Sequence, residues 1–215
     1  MSSISTPADR QAYWDDFYSR QDVALPLLPS QFAVFAASDF PGVDSVVEFG
    51  CGNGRDSEFL AMTGLQVLAL DASSEAVELC RQRTRSANVR YEHCSVQNSA
   101  EVLRAFVADK RRVVVYARFF LHAIDEAMEA VFMDLLATGL PTGSLLYFEY
   151  RTKEDEQVQK KFGQHYRRYI DHEALICKLR ALGFSLDYQV QGRGFAKYRD
   201  EDALVGRCVA VKEQP

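Results

Sequence analysis

The stretch VVEFGCGNGRDSEFLA, Val46 to Ala61, constrains the fold more than any other part of the chain. An apolar, β-branched run meets three alternating glycines, Gly50, Gly52 and Gly54, and then a helix-forming segment. Glycine accepts left-handed backbone and lets the main chain approach a ligand where any side chain would collide. Strand, glycine turn and helix in this order open a βαβ nucleotide-binding unit. The residues within the turn narrow the ligand. A phosphoryl-donor loop ends in Gly-Lys-Ser/Thr, whereas this one continues with Arg55 and Asp56. The dinucleotide fingerprint needs a third glycine where Arg55 stands. Glu48 before the turn and Asp56 after it are poor company for a pyrophosphate and better company for a cationic or zwitterionic ligand.

Around this unit, strand-like and helix-like segments alternate. Apolar runs occur at Ser45–Phe49, Gln66–Leu70, Val89–Cys94, Arg112–Ala117 and Ser144–Tyr150, separated by helix-like stretches at Asp56–Thr63, Ser74–Ser86, Ser99–Ala108 and Asp125–Thr138. Such alternation predicts an α/β fold, a mostly parallel sheet with helices on both faces. Near-continuous apolar strands such as RVVVYA fit burial on both sides. The rhythm breaks near the end. A helix at about Asp171–Leu182 is followed by FSLDYQVQ and LVGRCVAVK, joined only by a loop from Gly192 to Ala203, which predicts an antiparallel hairpin at the sheet edge. With 215 residues and no repeat or Gly/Ser linker, the chain reads as one domain. Residues 1–40 form an N-terminal extension, 41–215 the sheet core, and about 151–170 an insertion.

A net charge of −5 argues against a general nucleic-acid grip. The start of the chain shows no secretory signal, and no apolar run is long enough to span a bilayer. Five scattered cysteines without zinc-ligand spacing fit buried free thiols in a reducing compartment, so a cytoplasmic protein is expected.

The segment LALDAS places Asp71 17 residues after Gly54, close to the distance expected for a carboxylate that accepts both ribose hydroxyls. VVEFGCGNGRDS followed by LALDAS resembles motif I and the following acid of class I S-adenosylmethionine-dependent methyltransferases. The resemblance implies a Rossmann-like seven-stranded sheet whose last strand is antiparallel, and S-adenosylmethionine as cofactor. By it, Glu48, Gly50, Gly52 and Gly54 surround the methionine part, Asp71 holds the ribose and Ala72 lies beside the adenine. Many members end the third strand in an Asp that contacts adenine; here Ser95 and Val96 stand in that place.

The extension concentrates aromatics in AYWDDFYSRQ. Either it is a surface helix that buries Trp14 and Phe17, or it is a lid over the cofactor, with Tyr13 and Tyr18 offering hydroxyls to it. LLPSQFAVF suggests a second helix capped by Ser30.

After the fourth strand, YARFFLHAI carries Arg118 and His122 at the sheet end where open α/β folds place their chemistry. The Asp/Asn-Pro-Pro-Tyr/Phe signature of nucleobase and amide methyltransferases is absent there. His122 is either a general base or a structurally satisfied histidine. Arg118 and Arg151 leave adjacent central strands and are candidates for one catalytic crevice. His165, Tyr166, Arg167, Arg168 and Arg193 are candidate acceptor contacts, although a run of charges also suits a solvated face. The charged pattern of this half is loosely similar to bacterial polysaccharide-associated methyltransferases, including those of O-antigen chain terminators. The expected partner is a small-molecule or glycan-end acceptor, anionic and methylated on oxygen, with no metal and no nucleic acid. The competing reading is a cofactor-binding sensor without turnover.

Overall fold

The computed structural model describes residues 6–20, 25–40, 42–156, 166, 168–198 and 201–214. Seven strands form one sheet in the order β3-β2-β1-β4-β5-β7-β6. They are β1 (Ser45–Phe49), β2 (Gln66–Asp71), β3 (Val89–His93), β4 (Val114–Arg118), β5 (Leu145–Arg151), β6 (Phe184–Gly192) and β7 (Val205–Lys212). The first five are mutually parallel, and β7 runs antiparallel between β5 and β6. The chain builds outwards from β1 to β3, then crosses back to place β4 on the other side of β1. That reversal opens a crevice between the carboxyl ends of β1 and β4, the position at which such sheets bind ligands.

Alternation along each strand sends side chains to two cores. Val47, Phe49, Leu68, Val115 and Phe148 pack with Leu103, Phe132 and Leu179 on one face. Val46, Val67, Val114, Tyr116 and Tyr147 pack with Phe32, Leu60 and Val77 on the other. The first face is covered by α5 (Ser99–Val107), α6 (Glu126–Gly139) and α7 (His172–Ala181). The second is covered by α2 (Gln31–Ala37), α3 (Arg55–Met62) and α4 (Ser74–Arg83). Among the described residues no helix is long and apolar enough to cross a membrane.

The extension forms α1 (Pro7–Ser19), which begins earlier than the aromatic cluster because Thr6 and Asp9 cap each other reciprocally and Pro7 fits the first turn. The helix after β2 stops at Arg83 rather than Ser86, since Thr84 turns extended and its hydroxyl goes to Glu58.

Ser30 caps α2 as its sequence position predicts, its hydroxyl oxygen accepting the Ala33 N–H at 3.0 Å. The same hydroxyl donates to Asp56 Oδ2 at 2.7 Å, and the Ser30 N–H donates to Oδ1 at 2.7 Å. Ser30→Ala therefore uncaps a helix and removes a donor from a buried carboxylate. It is expected to cost about 1–3 kcal/mol, read from the urea midpoint.

Candidate functional site

The glycine turn hooks onto the neighbouring strand: the N–H groups of Gly50 and Cys51 both donate to the Leu70 carbonyl, at 2.8 and 3.1 Å. Gly52 and Gly54 hold φ of 55° and 74°, left-handed values that a side chain rarely adopts. Space is closed as well. A Cβ on Gly52 would lie 2.5 Å from the Tyr18 hydroxyl, and one on Gly54 2.8 Å from Cys80 Sγ. At the end of β2, Asp71 Oδ2 accepts the Gly52 N–H at 2.8 Å and Oδ1 accepts the Ser73 N–H at 2.9 Å. Burial raises the carboxyl's pKa, and these N–H groups counter the rise. Each oxygen keeps a lone pair, enough to receive the two hydroxyls of a ribose. The carboxylate and the tight turn fit a nucleoside-bearing cofactor.

Ala72 follows, its carbonyl 3.0 Å from His93 Nε2. Ser95 and Val96 occupy the equivalent level after β3, with Val96 buried against the β4–α6 side. Glu48, near the end of β1, is buried and accepts the Ser57 hydroxyl. Burial, then the nearby Asp56, holds its carboxyl well above the usual carboxylate range.

Helix α1 lies across this turn and packs on α4. Its Asp15 accepts the Ser73 hydroxyl at 2.6 Å, while Arg10 pairs with Asp125, the N-cap of α6, and stands 4.6 Å over the Tyr166 ring. The helix thus joins the caps of α4 and α6. Tyr18 faces the turn, and burial followed by Asp71 keeps its hydroxyl protonated. Tyr13 packs edge-on to Trp14 with centroids 5.1 Å apart.

The other wall begins where β4 ends. Phe119 has a φ of 56°, the one non-glycine positive value among the described residues, and its N–H donates to the Glu149 carbonyl at 2.8 Å. Strain of this kind persists only when the surroundings enforce it, and it clusters at functional sites. The Phe119 ring gathers Arg118 at 4.2 Å, Arg151 at 5.6 Å and the His122 ring at 5.1 Å. Nothing in the local sequence marks a bulky residue for left-handed backbone, so Phe119 escapes sequence reasoning.

Glu149, fully buried, accepts Arg118 Nε at 2.8 Å and Arg207 Nε at 2.7 Å. Arg151 is engaged at both ends of its fork, NH1 with Asp155 and NH2 with Glu201, each at 2.8 Å. Arg168 fastens the insertion to the β4–α6 loop through the Ile124 and Leu121 carbonyls and Glu129, and its N–H donates to the His122 carbonyl at 2.9 Å. Arg193 sits in the β6–β7 loop and donates to the Asp202 carbonyl. His165 and Arg167 lie outside the described residues. Among the described residues no group of three or more His, Cys, Asp or Glu side chains is arranged to hold a metal.

Residues 46–143 match the family described as "Methyltransferase domain". Residues 46–143 thus form a methyltransferase domain within this chain. The ubiquinone biosynthesis O-methyltransferase of Xanthomonas axonopodis pv. citri is 26% identical over 206 residues, covering 90% of this chain and 84% of that protein. The fold matches a SAM-dependent methyltransferase from Anabaena variabilis with a TM-score of 0.73 at 19% identity, over 97% of this chain and 96% of the other. It also matches the magnesium protoporphyrin IX methyltransferase of Synechocystis, solved with bound SAH, with a TM-score of 0.60 at 16% identity, over 94% and 83% of the two chains.

The buried Glu48 gives the methyltransferase a pH signature. Below the ordinary carboxylate range, folded and unfolded chains both hold the proton and Glu48 costs nothing. As pH rises the unfolded chain releases it first, so Glu48 lowers stability progressively up to its raised folded pKa. Glu48→Gln should therefore raise the melting temperature at pH 8 and change it less at pH 4, read by thermal denaturation without cofactor.

Proposed function

We propose that this methyltransferase transfers a methyl group to an oxygen of a small anionic acceptor. The observation that supports the reading most is Arg118 at the end of β4, bonded to Glu149 through Nε and lying over the Phe119 ring, which also meets His122. The glycine turn, Glu48 and Asp71 form the donor half. Asp71 receives the ribose hydroxyls, Glu48 faces the positive methionyl end, and Tyr18 closes the space above Gly52. Ala72, Ser95 and Val96 border the adenine. The bound donor supplies an electrophilic methyl on a sulfonium, already positive, so the protein's task is chiefly to position the acceptor oxygen in line. Guanidinium forks suit this because they hold carboxylate or phosphate oxygens in pairs. The O-methylating relative supports oxygen as the attacking atom.

His122 is buried at the same mouth and is the group whose ordinary pKa suits proton removal near neutrality. A hydroxyl acceptor needs that base; a phosphate or carboxylate oxygen is ionised beforehand and does not. Arg168 holds the His122 segment in place through its backbone. Tyr166 and Arg193, with His165 and Arg167, complete the acceptor side in this reading.

Asp71→Ala should weaken SAH by about 1.5–3 kcal/mol in calorimetry, the value of charge-assisted bonds to two hydroxyls. Acceptors are tested with labelled donor as matched pairs: a hydroxylated sugar or aromatic acid, its phosphate, and a neutral ester of each. The anionic members should turn over and the neutral ones fail. His122→Gln should lower kcat by roughly 10²–10⁴ on hydroxyl acceptors and little on ionised oxygens. Equal turnover of neutral and anionic members would overturn the proposal, and tight SAH binding with no turnover on any acceptor would favour the sensor.

A further inference from the structure

Two arginines, one at the start of α3 and one at the end of β4, have more hydrogen-bonding capacity than the described residues use. Arg55 opens α3 directly behind Gly54, with its side chain 16% exposed. Its Nε lies 3.6 Å from Asp56 Oδ1, too far for a hydrogen bond, and NH1 reaches the Leu28 carbonyl at 3.4 Å. Asp56 is already spoken for, because the Ser30 N–H, the Ser30 hydroxyl and the Tyr116 hydroxyl donate to it at 2.7, 2.7 and 2.9 Å. Arg118 is 17% exposed and gives only Nε to Glu149; among the described residues no acceptor serves its two terminal nitrogens. Glu149 cannot neutralise Arg118 alone, since its other oxygen holds Arg207. Keeping a guanidinium this far from water without full partners is costly unless a ligand completes it.

The two side chains lie close to one another. The bond from Tyr116 to Asp56 ties the start of α3 to β4 two residues before Arg118. Their charges also meet: burial most of all, and then Arg118, lower the pKa of Arg55 against the opposing pull of Asp56. Arg151, by contrast, has both terminal nitrogens in ion pairs and offers less to a ligand.

We infer that Arg55 and Arg118 form one two-armed subsite for an oxyanion, a carboxylate or a phosphate, at the mouth between β1 and β4. This deepens the proposed function and rests on its placement of donor and acceptor. Arg55, rather than Arg151, is the second arm. The oxyanion comes from one of two sources, the methionyl carboxylate of the donor or the acid group of the acceptor.

Calorimetry on wild type, Arg55→Gln, Arg118→Gln and Arg55→Lys separates these sources with three probes. SAH carries the carboxylate, 5′-methylthioadenosine lacks the amino-acid part, and inorganic phosphate stands in for an acceptor's acid group. Either Gln variant should weaken SAH at least tenfold while leaving 5′-methylthioadenosine unchanged if the donor supplies the oxyanion. If the acceptor supplies it, both nucleosides bind normally and phosphate affinity falls at least tenfold in each variant. Arg55→Lys, which keeps charge and bulk but loses the fork, should fall between and guards against misfolding; circular dichroism melts confirm the fold. Unchanged affinity for all three probes in both Gln variants overturns the subsite, as does an effect confined to one arginine. Failure of the anionic-acceptor reading looks different: neutral acceptors turn over in wild type, while the contrast between SAH and 5′-methylthioadenosine still reports on the two arginines.

Discussion

A single buried carboxylate organises the end of this molecule that carries the glycine turn. Asp56 receives three hydrogen bonds, two from Ser30 and one from Tyr116, and so joins the cap of α2, the first turn of α3 and the middle of β4. Burying an ionised group without partners would cost several kcal/mol, and here the donors offset it. The residues on either side inherit their places. Gly54 must turn left-handed to bring the chain into α3, and Arg55 opens that helix beside a neighbour anchored inwards. The glycine turn is therefore set from below by a side-chain knot as well as from within by its own backbone.

The opposite wall is ordered by a shortage of negative charge. Glu149 serves two arginines, and the aromatic rings of Phe32, Phe35 and Phe195 take part of the Arg207 charge at 4.8–5.5 Å. Phe119 does the same for Arg118 from a strained backbone. Positive charge is thus held beside β4, β5 and β7 by π faces and one shared carboxylate. Glu129 shows the same economy further out, joining Arg168 and Lys178.

The framework was legible in the sequence because its signals are local. Strand and helix periodicity, the alternating glycines, the Ser30 cap and Asp71 at the end of its strand each depend on a few neighbouring residues. The edge hairpin was legible for the same reason, as two β-rich runs with no helix between them. Strand ends shifted by a residue or two: β4 begins at Val114, not Arg112, and β5 reaches Arg151. Partnerships across long sequence separations left no such trace. Nothing near Arg118 announces Glu149, and nothing near Arg151 announces Glu201. Arg55 shows the gap most clearly. In the sequence it only excludes a glycine; in three dimensions its charge is felt together with those of Asp56 and Arg118.

Gly52 carries two separate demands, because the space above its α-carbon belongs to Tyr18 of α1 while its N–H belongs to Asp71. An inactive substitution at this position cannot by itself be assigned to the loss of a ligand contact. Any side chain there also unseats a helix whose other end is tied to α6, so the damage is inherited by a wall of the crevice far from the mutated turn. A genetic screen would score position 52 and position 10 alike, although one lies in the glycine turn and the other near the far end of α1.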